Sequence, residues 1–122
     1  MRQELLSEAL KEAYRSIPEW YGVDFETFKS TAKDWECFPI VYLGKPIGAV
    51  FRRDTELHVS IPKGHNSMMS REPLRIINDT LERYGKVTTV THKNDFEAIA
   101  MIERKGFILT GSRGDFLNYT KE

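Results

Sequence analysis

The sequence predicts an α/β domain built on one mixed sheet. An antiparallel meander runs into a single parallel β-α-β crossover, with helices on both faces. Three observations carry this reading. Residues 37–61 hold three β-rich segments separated by two-residue turns. A helical pattern from Ser70 to Tyr84 then precedes a β-branched run, Val87-Thr88-Thr89-Val90-Thr91. Apolar residues at helical spacing fill the N-terminal third, ahead of any strand.

Taken in order, residues 3–16 read as a helix whose stripe is Leu6, Leu10, Ala13 and Ile17, supported by Ala9. Pro18 marks its end. Asp24 is placed to cap a short helix to Lys33 with Phe25, Phe28 and Ala32 on one side. Residues 37–43 are a strand, Gly44-Lys45 a type II′ turn, and residues 46–52 the returning strand. Asp54-Thr55 turns the chain into a third strand, Glu56 to Ile61. After the loop 62–69, Ser70 caps a helix that tolerates Pro73 in its first turn and buries Leu74, Ile77 and Leu81, with Ile76 beside them. Gly85 ends it, since glycine readily takes the left-handed conformation at a helix C-terminus. Residues 86–91 form a strand and residues 95–105 a helix with Phe96, Ile99 and Ile102 inward, stopped by Gly106. Residues 107–110 and 116–120 close the order as a hairpin around Gly111–Asp115.

Composition narrows the function. The 122 residues are one domain's worth, 40% hydrophobic and 30% charged, with 18 basic residues against 18 acidic. That neutrality argues against a nucleic-acid partner, which attracts a basic excess, and gives no reason to expect an anionic membrane surface. No apolar run approaches the ~20 residues of a membrane span. Arg2, Glu4 and Glu8 break up any leader-like pattern, so a cytoplasmic protein is expected. The sequons at Asn78 and Asn118 are then silent. Cys37 reads as a packed thiol, because β-forming neighbours place it on a strand. Three scattered histidines and one cysteine lack metal-ligand spacing, so no metal is expected.

The segment Asn94-Asp95-Phe96-Glu97-Ala98, running to Gly106-Phe107, resembles the Asn-x-x-x-Ala helix of the GNAT (Gcn5-related N-acetyltransferase) superfamily. Gly48-Ala49-Val50, a strand ending in Ile61-Pro62, a loop and a long helix fit the same order. The resemblance spans residues 38–120 and implies a GNAT-type acyl-CoA N-acyltransferase fold in a single domain, 1–122. N-terminal helices occupy 1–35, the meander 37–61, the cofactor-type crossover 62–92, and the last helix and hairpin 94–120. The same layout, with its short N-terminal helices, is also similar to small GNAT-like proteins of tailed bacteriophages, one of them an internal virion component.

The resemblance implies acetyl-CoA as co-substrate, its arm lying where strands 56–61 and 86–91 splay apart. Backbone groups of Val59 and Ile61 would meet the arm. Lys63, Gly64, His65, Ser67, Ser70 and Arg71 would cradle the pyrophosphate at a helix start, and Asn94 would touch the arm. The loop departs from the family's Arg/Gln-x-x-Gly-x-Gly/Ala, having one glycine and the bulky Met68 and Met69. Ile102 stands where the family often keeps a tyrosine acid, and no first family strand precedes the helices.

Glu56 and His58 share one strand face by alternation, on the strand where the family often keeps a general base. They are either catalytic or solvated strand residues. Trp20, Tyr21, Phe25, Phe28 and Trp35 are either core or, by the resemblance, a wall of the acceptor site. Arg113-Gly114-Asp115 reads as turn chemistry. Two functions stay open. One is acetyl transfer from acetyl-CoA to an amine on a small molecule or protein. The other is a catalytically silent binding or assembly module, such as one in a phage particle. A homodimer is an option, since GNAT proteins often dimerise.

Overall fold

A computed structural model describes residues 2–15, 22–60 and 71–122, with side chains from residue 6 onward. Ile17, Pro18, Trp20, Tyr21, Ile61, Lys63, Gly64, His65, Ser67, Met68, Met69 and Ser70 lie outside the described residues.

Helix α1 (Arg2–Arg15) and helix α2 (Phe25–Ala32) precede the sheet. Asp24 caps α2 as the sequence predicts, its carboxylate accepting from the Thr27 N–H at 2.7 Å. Strands β1 (Glu36–Tyr42), β2 (Lys45–Arg53) and β3 (Glu56–Ser60) follow. Helix α3 (Arg71–Tyr84) and strand β4 (Val87–His92) come next. Helix α4 (Phe96–Arg104), strand β5 (Ile108–Arg113) and strand β6 (Phe116–Lys121) complete the chain.

The six strands order as β1-β2-β3-β4-β6-β5. Every neighbouring pair is antiparallel except β3 with β4, which is parallel. Strand alternation divides the core between the two faces. Ile40, Val50, Leu57, Val87 and Tyr119 pack with Ile76 and Ile77 of α3, and Ile99 and Ile102 of α4 join them. On the opposite face Ala49 and Phe51 pack with Ala9 and Ala13 of α1, and with Phe28 and Ala32 of α2. The mixed sheet with helices on both faces is therefore present. No helix among the described residues is long and apolar enough to cross a membrane.

Several local expectations need correction. The first hairpin turns on Leu43-Gly44, at φ 51° and φ 80°, rather than as a type II′ turn on Gly44-Lys45. Two positive φ values are the type I′ pattern, whose twist matches that of the flanking strands. Helix α3 is rotated from its expected face. It buries Pro73, Ile76, Ile77 and Thr80, while Leu74 is 42% exposed and Leu81 only half-buried. Thr80 sits inward because its hydroxyl is satisfied twice: it donates to the Ile76 carbonyl at 2.7 Å and accepts from Arg52 at 3.2 Å. Phe96 is 74% exposed, because Asp95 is the cap of α4 and Phe96 only its first residue. The last hairpin is tighter than expected: β5 extends to Arg113 and the turn is Gly114-Asp115.

Arg52 is 3% exposed on the α3 face. It holds Glu36 through two bonds of 2.7 and 3.0 Å, and Asp79 through one of 2.7 Å. Its guanidinium also lies 5.1 Å from the centre of the Phe38 ring. A buried guanidinium is tolerable when its donors are taken up by carboxylates. This cluster ties β1, β2 and α3 together beside the parallel crossover.

Candidate active site

The parallel pair β3–β4 is joined at one end only. Its registered ladder consists of Glu56↔Thr88, with the Thr88 N–H donating to the Thr55 carbonyl at 2.8 Å. Beyond that pair both strands stay bonded to their outer neighbours. β3 pairs with β2 as far as Ala49↔Ser60, and β4 pairs with β6 as far as His92↔Phe116. Between the described residues of β3 and β4 no further backbone register forms. The two strands therefore open into a slot running from Glu56 and Thr88 toward Ser60 and His92.

Strand alternation fixes what lines this slot. Since the Thr88 N–H points at β3, so do the backbone polar groups of Val90. By the same rule those of Leu57 and Val59 point at β4. The Leu57 carbonyl is taken by the Thr89 hydroxyl, which donates at 2.7 Å. Val59 and Val90 thus aim backbone groups into the slot from opposite sides, while the Val59 side chain packs against the α3-face core. The slot's outline is that of a missing strand, which an extended chain bearing amides would complete.

Glu56 and His58, placed together by alternation, are in contact. His58 Nε2 lies 2.6 Å from Glu56 Oε2, and both side chains are partly exposed. The His58 bond holds the Glu56 carboxyl below the ordinary range, against the opposing effect of partial burial; charge from His58 and Arg53 adds to the lowering. An ionised carboxylate accepts only, so Nε2 is the nitrogen that donates to it, and whenever the ring is neutral its lone pair sits on Nδ1. Trp35 meets the His58 ring edge-on, 5.2 Å between centres. Arg53 lies over the same Trp35 ring, its guanidinium 4.4 Å from the ring centre. Trp35, from the segment read as core or wall, packs against the α1–α2 core.

Glu56 and His58 face the α1–α2 side, where Glu56 aligns with Thr88, and Thr88 with Thr120. Val90 aligns with Asn118 on the same face. A mostly polar row thus runs from the Glu56–His58 pair across β4 and β6. Its far side is braced by a 3.1 Å contact between the Thr110 and Thr120 hydroxyls. Ser60, next on the face, donates to the Ala13 carbonyl of α1 and marks where the helix begins to cover the sheet.

Asn94 is exposed in the turn after β4, at the open end of the slot. Its N–H donates to His92 Nδ1 at 3.1 Å. Asp95 caps α4 through the Ala98 N–H at 3.2 Å. Lys93 pins this turn to the final hairpin through Asp115, by a 3.0 Å ion pair and a 2.8 Å bond from its N–H to the Asp115 carbonyl. Arg71 opens α3 and is exposed. The remaining predicted cradle, Ile61 to Ser70, lies outside the described residues. Ile102 packs on the core and has no proton to give. Cys37 is chemically quiet, burial pushing its thiol up to about 11.

Sequence reasoning missed Arg53 and Thr89. The one signal for Thr89 was threonine where a buried parallel strand usually carries valine or isoleucine.

No protein-family model matches the chain, and no curated protein matches it in sequence. Solved structures do match in fold. A ribosomal-protein-alanine N-acetyltransferase from Escherichia coli superposes with a TM-score of 0.66 at 14% identity, over 91% of this chain and 85% of that one. A GNAT-family acetyltransferase from Listeria monocytogenes gives 0.62 at 15% identity, over 98% and 86%. The N-acetyltransferase PseH from Campylobacter jejuni, in complex with acetyl coenzyme A, gives 0.62 at 12% identity, over 85% of both chains. The chain therefore has the fold of the GNAT acetyltransferases.

Proposed function

We propose that this protein is an acyl-CoA-dependent N-acyltransferase that moves an acetyl group from acetyl-CoA to an amine. The observation that carries this reading is the slot between β3 and β4, beside the hydrogen-bonded Glu56–His58 pair. A fold alone would not carry it, since one scaffold serves many chemistries.

The donor supplies a thioester, whose thiol is already a good leaving group. The rest is done by the chain. Val59 and Val90 offer backbone groups to an extended, amide-bearing arm. Asn94 stands at the slot mouth, and by the family resemblance the loop 62–70 with Arg71 holds the pyrophosphate. His58 Nδ1 takes the proton of the acceptor ammonium, and Glu56 fixes the ring's tautomer and orientation. The polar row Thr88, Asn118 and Thr120 forms the floor for the acceptor, a small molecule or protein amine, with Trp35 as its wall. Holding amine and thioester in register is the main source of rate.

Titration calorimetry with acetyl-CoA, CoA and 3′-dephospho-CoA tests the donor, and thiol release in the presence of amines tests transfer. Binding of acetyl-CoA with amine-dependent thiol release is expected. A protein that binds none of the three ligands would refute the reading. Ile102 favours a second one, a GNAT-like module for binding or assembly. Acetyl-CoA binding without thiol release across a broad amine panel would support that instead.

A further inference from the structure

Neighbouring parallel strands normally zip along their shared length, because each unpaired backbone group carries a desolvation penalty. Here β3 and β4 stop after Glu56↔Thr88, although both continue as strands. The next rung of a regular parallel ladder would run from the Val90 N–H to the Leu57 carbonyl. That carbonyl instead accepts the Thr89 hydroxyl at 2.7 Å. A side-chain donor occupies the site of the missing rung, from the residue just before the N–H that would have made it.

We propose that Thr89 is a positioning residue: its hydroxyl satisfies the Leu57 carbonyl and so holds β3 and β4 apart, keeping the slot open for an extended amide-bearing ligand. The proposal deepens the acyl-CoA reading, and its structural half stands independently of that reading. Three features favour a wedge over an incidental bond. The Leu57 side chain is buried in the core, so its carbonyl has little access to water as an alternative partner. A second threonine contact, Thr55 Oγ1 to Thr88 Oγ1 at 3.4 Å, braces the closed end of the slot. Both strands are anchored on their outer edges, so the slot is not a frayed end.

Thr89→Val keeps shape and β-branching but removes the donor; Thr89→Ser keeps the donor. Amide-resolved hydrogen exchange reads the slot directly, and calorimetry with acetyl-CoA reads its use. In the wild type the Val90 amide is expected to exchange faster than the Thr88 amide. In Thr89→Val the Val90 amide should slow, and acetyl-CoA affinity should fall, each by about tenfold, the scale of one net hydrogen bond. Thr89→Ser should stay within about twofold of wild type in both, since its hydroxyl preserves that bond. A wild-type Val90 amide as protected as Thr88 would overturn the proposal without any variant being needed. So would a folded Thr89→Val that leaves Val90 exchange unchanged or, where the wild type binds acetyl-CoA, binds it equally tightly. If Val90 slows in Thr89→Val while the wild type shows no acetyl-CoA binding, the wedge stands and the acyl-CoA reading fails.

Discussion

Exchanging Glu56 for glutamine is close to isosteric, yet it should be as harmful to turnover as removing the histidine. A carboxylate only accepts, and so keeps the proton on His58 Nε2. An amide at the same 2.6 Å contact can donate to Nε2, which moves the ring proton to Nδ1 and blinds the base. Both Glu56→Gln and His58→Gln are expected to lower kcat for acetyl transfer by about a hundredfold or more, with the acetyl-CoA Kd nearly unchanged. Steady-state thiol release and calorimetry on the two variants check this. Equal loss of binding would move the pair from catalysis to structure. Arg52 shows the opposite case, a charged residue whose work is structural. Arg52→Met leaves Glu36 and Asp79 without the donor they share, and should reduce unfolding free energy by about 2–3 kcal/mol in urea titration.

Among the elements, the β1–β2 hairpin carries a visible strain. Leu43 holds φ 51° and is 83% exposed, so it accepts a left-handed backbone without gaining buried contacts. Leu43→Asn should stabilise the protein by roughly 0.5–1 kcal/mol, visible as a rise in Tm. The start of α4 is a counterpart. Asp95→Ala removes the bond to the Ala98 N–H and should cost about 1 kcal/mol. Because Asn94 adjoins that cap, the variant is also expected to weaken acetyl-CoA binding. At the other end of α4, Gly106 has φ 91° and Lys121 donates to the Lys105 carbonyl at 2.7 Å, so the helix end is tied to β6. The caps were legible from local residue type. The buried face of α3 was not, since Leu74 and Leu81 fit a helical stripe as well as Pro73, Ile76, Ile77 and Thr80 do. Thr80 moves inward only because Arg52, from a strand 28 residues earlier, gives its oxygen a second partner.

For the whole molecule, the lowered carboxyls set the acid response. Glu36 is lowered chiefly by the Arg52 bond, Asp79 by the same guanidinium, and Glu56 by His58. Depressed folded-state values mean that the unfolded chain binds more protons once the pH nears the ordinary carboxylate range. Their stabilisation is therefore fully present above about pH 4–5, where unfolded carboxyls are ionised, and fades as the pH falls through the folded values. Thermal unfolding between pH 7 and pH 3 should show Tm dropping below about pH 5. In Arg52→Met that drop should be smaller, since the first cause of the lowering of Glu36 and Asp79 is removed, while Arg83 still pairs with Asp79 at 3.0 Å.

Element order, most helix and strand limits, and the sharing of one face by Glu56 and His58 follow from period, caps and turns within a few residues of each other. Local chemistry suffices for these because the backbone decides them locally. The slot does not follow in that way. Strand propensity in Glu56–Ser60 and Val87–His92 favours a fully zipped pair. The opening depends on one hydroxyl meeting one carbonyl 32 residues away in the chain. The same holds for Trp35 against His58 and for Arg53 over Trp35. Such contacts exist only once the sheet has assembled, because the groups that compete for each donor and acceptor are brought together by folding and not by proximity in sequence.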